Sequence, residues 1–119
     1  MKNNYKAFDV VLVDFGDANM FGEQAGKRPA IIIQNNMGNI YSTTTIVLPT
    51  TTKIKNPYQP THSLFKKDFA KGLKEDSMVL GECVRQISEN RIIKKLGSFS
   101  DIRDREEIKR VYFANFAEV

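Results

Sequence analysis

Arg28 follows a loop with glycines at 22 and 26, and it precedes Pro29 and the apolar run Ala30-Ile31-Ile32-Ile33. A guanidinium keeps its charge at physiological pH and forks onto two oxygens of a phosphate or carboxylate. Anchored by a proline and a strand, Arg28 suits an oxyanion, although its spacing also fits a surface arginine leading into a strand. Thr50 and Thr51 follow Pro49 at an expected strand end, where Thr51 either donates a hydrogen bond to a charged intermediate or faces solvent. His62 is the one histidine, a residue type that passes protons near neutral pH, and equally a structural loop residue. Glu82 and Arg85 have the look of a carboxylate and guanidinium pair, with an exposed ion pair as the plainer account. Cys83 stands alone, so no internal disulfide framework exists, and no Cys/His cluster has the spacing of a zinc site. Neither a dinucleotide fingerprint nor a P-loop nor a Gly-x-Ser-x-Gly elbow is present.

The elements that must position these residues are mostly strands. The chain has 119 residues, 41% hydrophobic and 27% charged, a composition that implies one folded domain over 1–119 rather than disorder. A net charge of +4 and a pI near 9.2 give a modest basic excess that attracts polyanions. The polar start and the acids Asp9 and Asp14 exclude a signal peptide or membrane span there, and with a single cysteine this fits a reducing cytoplasm. Phe8 to Phe15 predicts a strand, Ala18 to Lys27 a loop, and Ala30 to Ile33 a central strand covered on both faces. Asn35 to Asn39 predicts a turn, and Thr43 to Leu48 a strand that Pro49 interrupts. Thr61 to Phe65 reads as a short strand and Ser77 to Ile87 as another, with Gly81 marking a bulge or a close approach. Ser88 would cap a helix over Glu89 to Leu96 that Gly97 stops. Ser98 to Asp101 matches a capping box, ahead of a helical stripe of Ile108, Val111, Tyr112 and Phe116. A small, curved antiparallel sheet or barrel follows, with one or two helices at the end.

Several segments together resemble the MazF/PemK family of toxin endoribonucleases. They are DVVLVDF (9–15), GEQAGKRPAIIIQNNMGN (22–39), the strand ending in Pro49-Thr50-Thr51, PTH (60–62) and DSMVLGECVRQI (76–87). The specific block is GEQAGKRPAIIIQN; the C-terminal helix agrees only in character. The resemblance implies a mainly β, SH3-like barrel with short appended helices, one of them C-terminal. It implies a homodimer that cleaves single-stranded RNA at a short sequence without metal or other cofactor, and a cognate antitoxin that blocks the groove. Arg28 takes the position of the family's catalytic arginine and Thr51 that of its catalytic threonine. Glu23 and Gln24 lie in its mobile substrate loop, where Phe21 either stacks on a base or anchors the loop. Glu82 falls where the family contacts RNA, and Lys27, Thr50 and Arg85 are expected to meet the strand as well. Glu82 and His62 are alternatives for proton transfer. Phe8 stands where the family usually has glycine, and Gly81-Glu82-Cys83 replaces a usual Leu-Glu-Gln, which bears on base preference because a thiol cannot donate like an amide. Two rival functions are a toxin of the same fold that inhibits DNA gyrase and a plain RNA-binding barrel.

Overall fold

The computed structural model describes residues 5–16 and 25–118. Its strands are β1 (Asp9–Asp14), β2 (Lys27–Ile32), β3 (Thr44–Thr51), β4 (His62–Phe65), β5 (Ser77–Leu80), β6 (Arg85–Ser88) and β7 (Ile92–Ser98). A short helix, α1 (Asn36–Tyr41), lies between β2 and β3, and α2 (Ile102–Phe113) follows β7. The seven strands form one antiparallel sheet in the order β4-β5-β3-β2-β1-β7, with β6 also on β3. The fold is mainly β with a C-terminal helix.

Side chains alternate across a strand, so neighbours along β1, β2 and β3 enter different cores. Val10, Ile31 and Leu48 join Phe65, Val79, Phe99, Ile108 and Val111 on one face. Val11, Val13, Ala30, Ile32 and Val47 join Phe15, Ile87 and Ile92 on the other. This double coverage explains why β2 reads as a continuous apolar run: Ala30, Ile31 and Ile32 are wholly buried between β1 and β3.

Several local expectations change. Asn35 caps a real helical turn, its side chain accepting from the Gly38 amide at 2.9 Å, so the 35–39 cluster starts α1 rather than forming a turn alone. Strand β3 continues through Pro49, which pairs with Ala30. On its other edge β3 meets β6 up to Val47 and β5 from Thr50, so the residue lacking an N–H sits where the partner changes. Ser77 to Ile87 is two strands split by a tight turn over Gly81–Cys83. Ser88 caps only the single turn Glu89–Arg91, and the next residues form β7 instead of a helix. The open edge of β1 captures them, from Asp9↔Ser98 to Val13↔Ile92, and tertiary pairing overrides the weak helical preference.

Close approaches fix two glycines. A Cβ on Gly81 would lie 2.4 Å from the Val111 carbonyl oxygen and 2.8 Å from that of Thr61, so only glycine lets α2 pack over this turn. Gly97 stops no helix; a Cβ there would lie 2.4 Å from the Gly72 nitrogen, where β7 crosses the 69–72 turn.

Asp101, not Ser98, caps α2, accepting from the Arg103 amide at 2.8 Å. Ile108 and Val111 are buried, each contributing about 2 kcal/mol of hydrophobic burial, while Tyr112 is half-buried and Phe116 lies exposed beyond the helix end. Polar ties complete the docking. Ser63 Oγ donates to Glu107 Oε2 at 2.6 Å, and Arg110 donates to both Glu107 oxygens and to the Pro60 carbonyl. The Arg110 hydrogen bond, with help from Ser63, holds the Glu107 carboxyl below its ordinary range, and Glu107 in turn raises Arg110. Lys71 meets Asp104 at 2.8 Å, and that hydrogen bond holds its ammonium above the usual lysine value.

Candidate active site

The register of β2 against β3 decides the site. Ile32↔Val47, Ile31↔Leu48 and Ala30↔Pro49 are paired, and continuing by two residues sets Arg28 opposite Thr51. The Thr50 hydroxyl, itself buried, donates to the Pro29 carbonyl at 3.1 Å and pins the two strand ends together. Across β1, Phe15 N donates to the Gly26 carbonyl and Gly26 N to the Gly16 carbonyl, which closes the base of the loop leading into Arg28.

At this end of the sheet a cleft of about 320 Å³ is lined by Ala25, Gly26, Lys27, Arg28, Pro29, Thr50, Thr51, Thr52 and Ser77. Arg28 is half-buried, and its Nε donates to the Ala25 carbonyl at 2.8 Å. That bond engages the inner nitrogen, the one set back from the fork. Thr51 Oγ1 accepts from the Lys53 amide at 3.1 Å, so its own proton remains available for an acceptor in the cleft. A guanidinium fork and a hydroxyl facing one concavity can hold the non-bridging oxygens of a phosphodiester.

The predicted residues divide into groups. Arg28, Thr51, Lys27 and Thr50 come together at the cleft. Phe21, Glu23 and Gln24 lie outside the described residues. His62 and Glu82 form a separate pair on the far side of β5, with Nε2 to Oε2 at 2.7 Å. His62 Nδ1 contacts the Asn56 carbonyl at 2.8 Å, and Gln59 Nε2 donates to the same Glu82 oxygen at 3.1 Å. A carbonyl only accepts, so Nδ1 is the donor in the contact with Asn56. Neither residue lines the Arg28 cleft. Glu82 therefore pairs with His62 rather than with Arg85, because the 81–83 turn breaks the strand between them. Arg85 sits opposite Val47, its guanidinium carbon 5.2 Å from the Phe15 ring centre. Thr52 and Ser77, which carry no signal of their own in the sequence, also line the cleft. Ser77 arrives through the β3–β5 pairing, which no local pattern announces. Among the described residues no group of three or more His, Cys, Asp or Glu side chains could hold a metal ion.

Residues 6–111 match the family described as PemK-like, MazF-like toxin of type II toxin-antitoxin system. The chain belongs to that family. It is 41% identical over 98 residues to Endoribonuclease MazF of Staphylococcus saprophyticus, covering 82% of this chain and 80% of the relative. Among solved structures, MazF of Deinococcus radiodurans superposes with a TM-score of 0.76 at 16% identity, covering 95% of this chain and 96% of that one. An endoribonuclease in complex with its cognate antitoxin from a mycobacterial species gives 0.73 at 15% identity, covering 92% of each chain. At these identities the structural matches show the fold, which is that of the family's barrel-like toxins.

Proposed function

We propose that this protein is a toxin endoribonuclease that cuts single-stranded RNA at the Arg28–Thr51 cleft, using the substrate's own 2′-OH as nucleophile. The observation that carries the reading is the β2–β3 register, which sets a half-buried arginine fork beside a threonine hydroxyl in one cleft of a toxin-family chain. Attack by the 2′-OH on the adjacent phosphorus builds up charge on the non-bridging oxygens. A preorganised guanidinium stabilises that charge by about 3–4 kcal/mol, and Thr51 donates to the same group. The 5′-oxygen then leaves, giving a 2′,3′-cyclic phosphate and a 5′-hydroxyl. His62 and Glu82 are held together outside the lining of the cleft, so in this chain they act on folding or on a more distant part of the strand, and the proton carriers lie among the groups lining the cleft.

The remaining features follow the family relationship: a homodimer in the cytoplasm, no cofactor, and a cognate antitoxin that blocks the groove. Among the described residues no helix is long and apolar enough to cross a membrane. The deciding experiment incubates the purified protein with a long mixed-sequence RNA in excess EDTA and maps the new ends. Discrete cuts with 2′,3′-cyclic phosphate and 5′-hydroxyl termini are expected. Products with 5′-phosphates would refute the 2′-OH mechanism, and intact RNA with inhibited DNA gyrase would move the protein to the other toxin class.

A further inference from the structure

Past Thr52 the Arg28 cleft continues into a second concavity of about 430 Å³, lined by Thr52, Ile54, Lys67, Lys74, Glu75 and Asp76. Thr52 belongs to both walls, and Ser77 of the first cleft directly follows Asp76 of the second. The connection between β4 and β5 builds this wall. Asp68 and Leu73 bridge antiparallel, with Asp68 N donating to the Leu73 carbonyl at 2.8 Å and Leu73 N to the Asp68 carbonyl at 3.0 Å. Lys67 and Lys74 flank that bridge in sequence, and both line the concavity.

Both lysines are exposed, and among the described residues neither belongs to an ion pair. Asp76 Oδ1 is engaged with the Lys67 backbone amide at 2.9 Å, which fixes the chain beneath the first lysine. An anion seated in the concavity can take charge-assisted hydrogen bonds from both ammonium groups that line it. We propose that Lys67 and Lys74 hold a backbone phosphate of the RNA strand next to the one cut at Arg28. The inference rests on the reading of the Arg28 cleft as the RNA site. It names a contact that positions the strand and carries no base information. Glu75 on the same wall opposes the strand and moderates its affinity.

The test is a salt titration of binding to a fluorescent, fully 2′-O-methylated oligonucleotide of mixed sequence, which cannot supply the nucleophile. The variants are Lys67→Ala with Lys74→Ala, Glu75→Gln, and Lys94→Ala with Lys109→Ala as a charge-matched control on β7 and α2. Loss of the contacts to one phosphate of a single strand lowers the slope of log K against log salt by about 0.7 and weakens binding at low salt on the order of tenfold. Glu75→Gln should tighten binding, and the control pair should change it far less. With cleavable RNA, the Lys67/Lys74 variant should raise KM and leave kcat unchanged. Equal effects in the two lysine pairs would reduce the contact to long-range steering and overturn the proposal, as would wild-type binding by the Lys67/Lys74 variant. Loss of affinity for a polyglutamate peptide with RNA binding intact would assign the pair to an acidic protein partner and overturn it too. Should the wild type bind the oligonucleotide yet cut no RNA, the cleavage reading fails while the salt slope still judges the lysine pair.

Discussion

Truncating Arg28 to alanine removes a half-buried fork and its bond to the Ala25 carbonyl, so the fold should lose no more than about 1 kcal/mol. Cleavage should fall about 10²–10³-fold, the equivalent of 3–4 kcal/mol of lost transition-state stabilisation. Arg28→Lys should recover part of the rate, since an ammonium supplies charge without the fork. Thermal melts alongside single-turnover rates check this; a variant that melts normally and cuts within threefold of wild type would make Arg28 structural. Phe8 poses a different contest. Its φ of 69° puts a bulky residue in the left-handed region, at the position where the family usually has glycine. That conformation costs about 1–2 kcal/mol. Against it, the half-buried ring packs on the core around Val10 and lies 4.8 Å from the Arg105 guanidinium carbon, contributing about 1–2 kcal/mol by its partial burial and about 0.5–1 kcal/mol by the cation–ring contact. Packing outweighs strain, so Phe8→Gly should destabilise by about 1 kcal/mol in urea unfolding. A stabilised variant would mean the ring contributes little.

The docking of α2 is the element most exposed to single changes. Gly81→Ala puts a methyl against two backbone carbonyls, those of Val111 and Thr61, neither of which can rotate away. A loss of about 2–3 kcal/mol is expected, read as a lower urea midpoint, and a wild-type midpoint would show that the helix shifts freely. The same helix brings a pH dependence. Glu107 has its folded value depressed by Arg110 and then Ser63, so its contribution is fully present above the unfolded carboxylate value, about 4.3. It is lost as pH falls through the lower folded value. Both partners are substantially solvent-exposed, which limits the effect to under about 1 kcal/mol. Glu107→Gln should therefore lower stability at pH 7 and flatten the decline between pH 5 and pH 3; an unchanged acid limb would remove Glu107 from the account. The helix also shows what local reading captured. Ile108 and Val111 are legible from their spacing, whereas Ile92 to Leu96 read locally as helix and fold as strand because the β1 edge that recruits them lies some eighty residues away in sequence.

At the scale of the whole molecule, the exposed aromatic end of α2 bears on assembly. Phe113 and Phe116 stack with ring centres 5.2 Å apart, and both remain about half exposed or more. Large exposed apolar groups that cluster mark association surfaces, in keeping with the proposed homodimer. Light scattering at micromolar concentration should give twice the chain mass of 13.6 kDa, and Phe113→Glu with Phe116→Glu should shift the protein toward the monomer. A monomeric wild type with full activity would contradict the homodimer.

The sequence by itself determined the strand-rich plan, the doubly covered β2, the glycine at position 81 and the family, because each of these is written in local side-chain chemistry or in contiguous motifs. It also named Arg28 and Thr51 as candidates one at a time. That they face one another was decided only by the pairing of β2 with β3, and that Ser77 and Thr52 complete the cleft only by the pairing of β3 with β5. The division of Glu82 from Arg85, and the union of Glu82 with His62, likewise depended on a turn packed beneath α2. The physical reason is common to all three. Register and edge capture are settled by the burial and hydrogen bonding of partners distant in the chain, and those terms exceed the local propensities that a single segment carries.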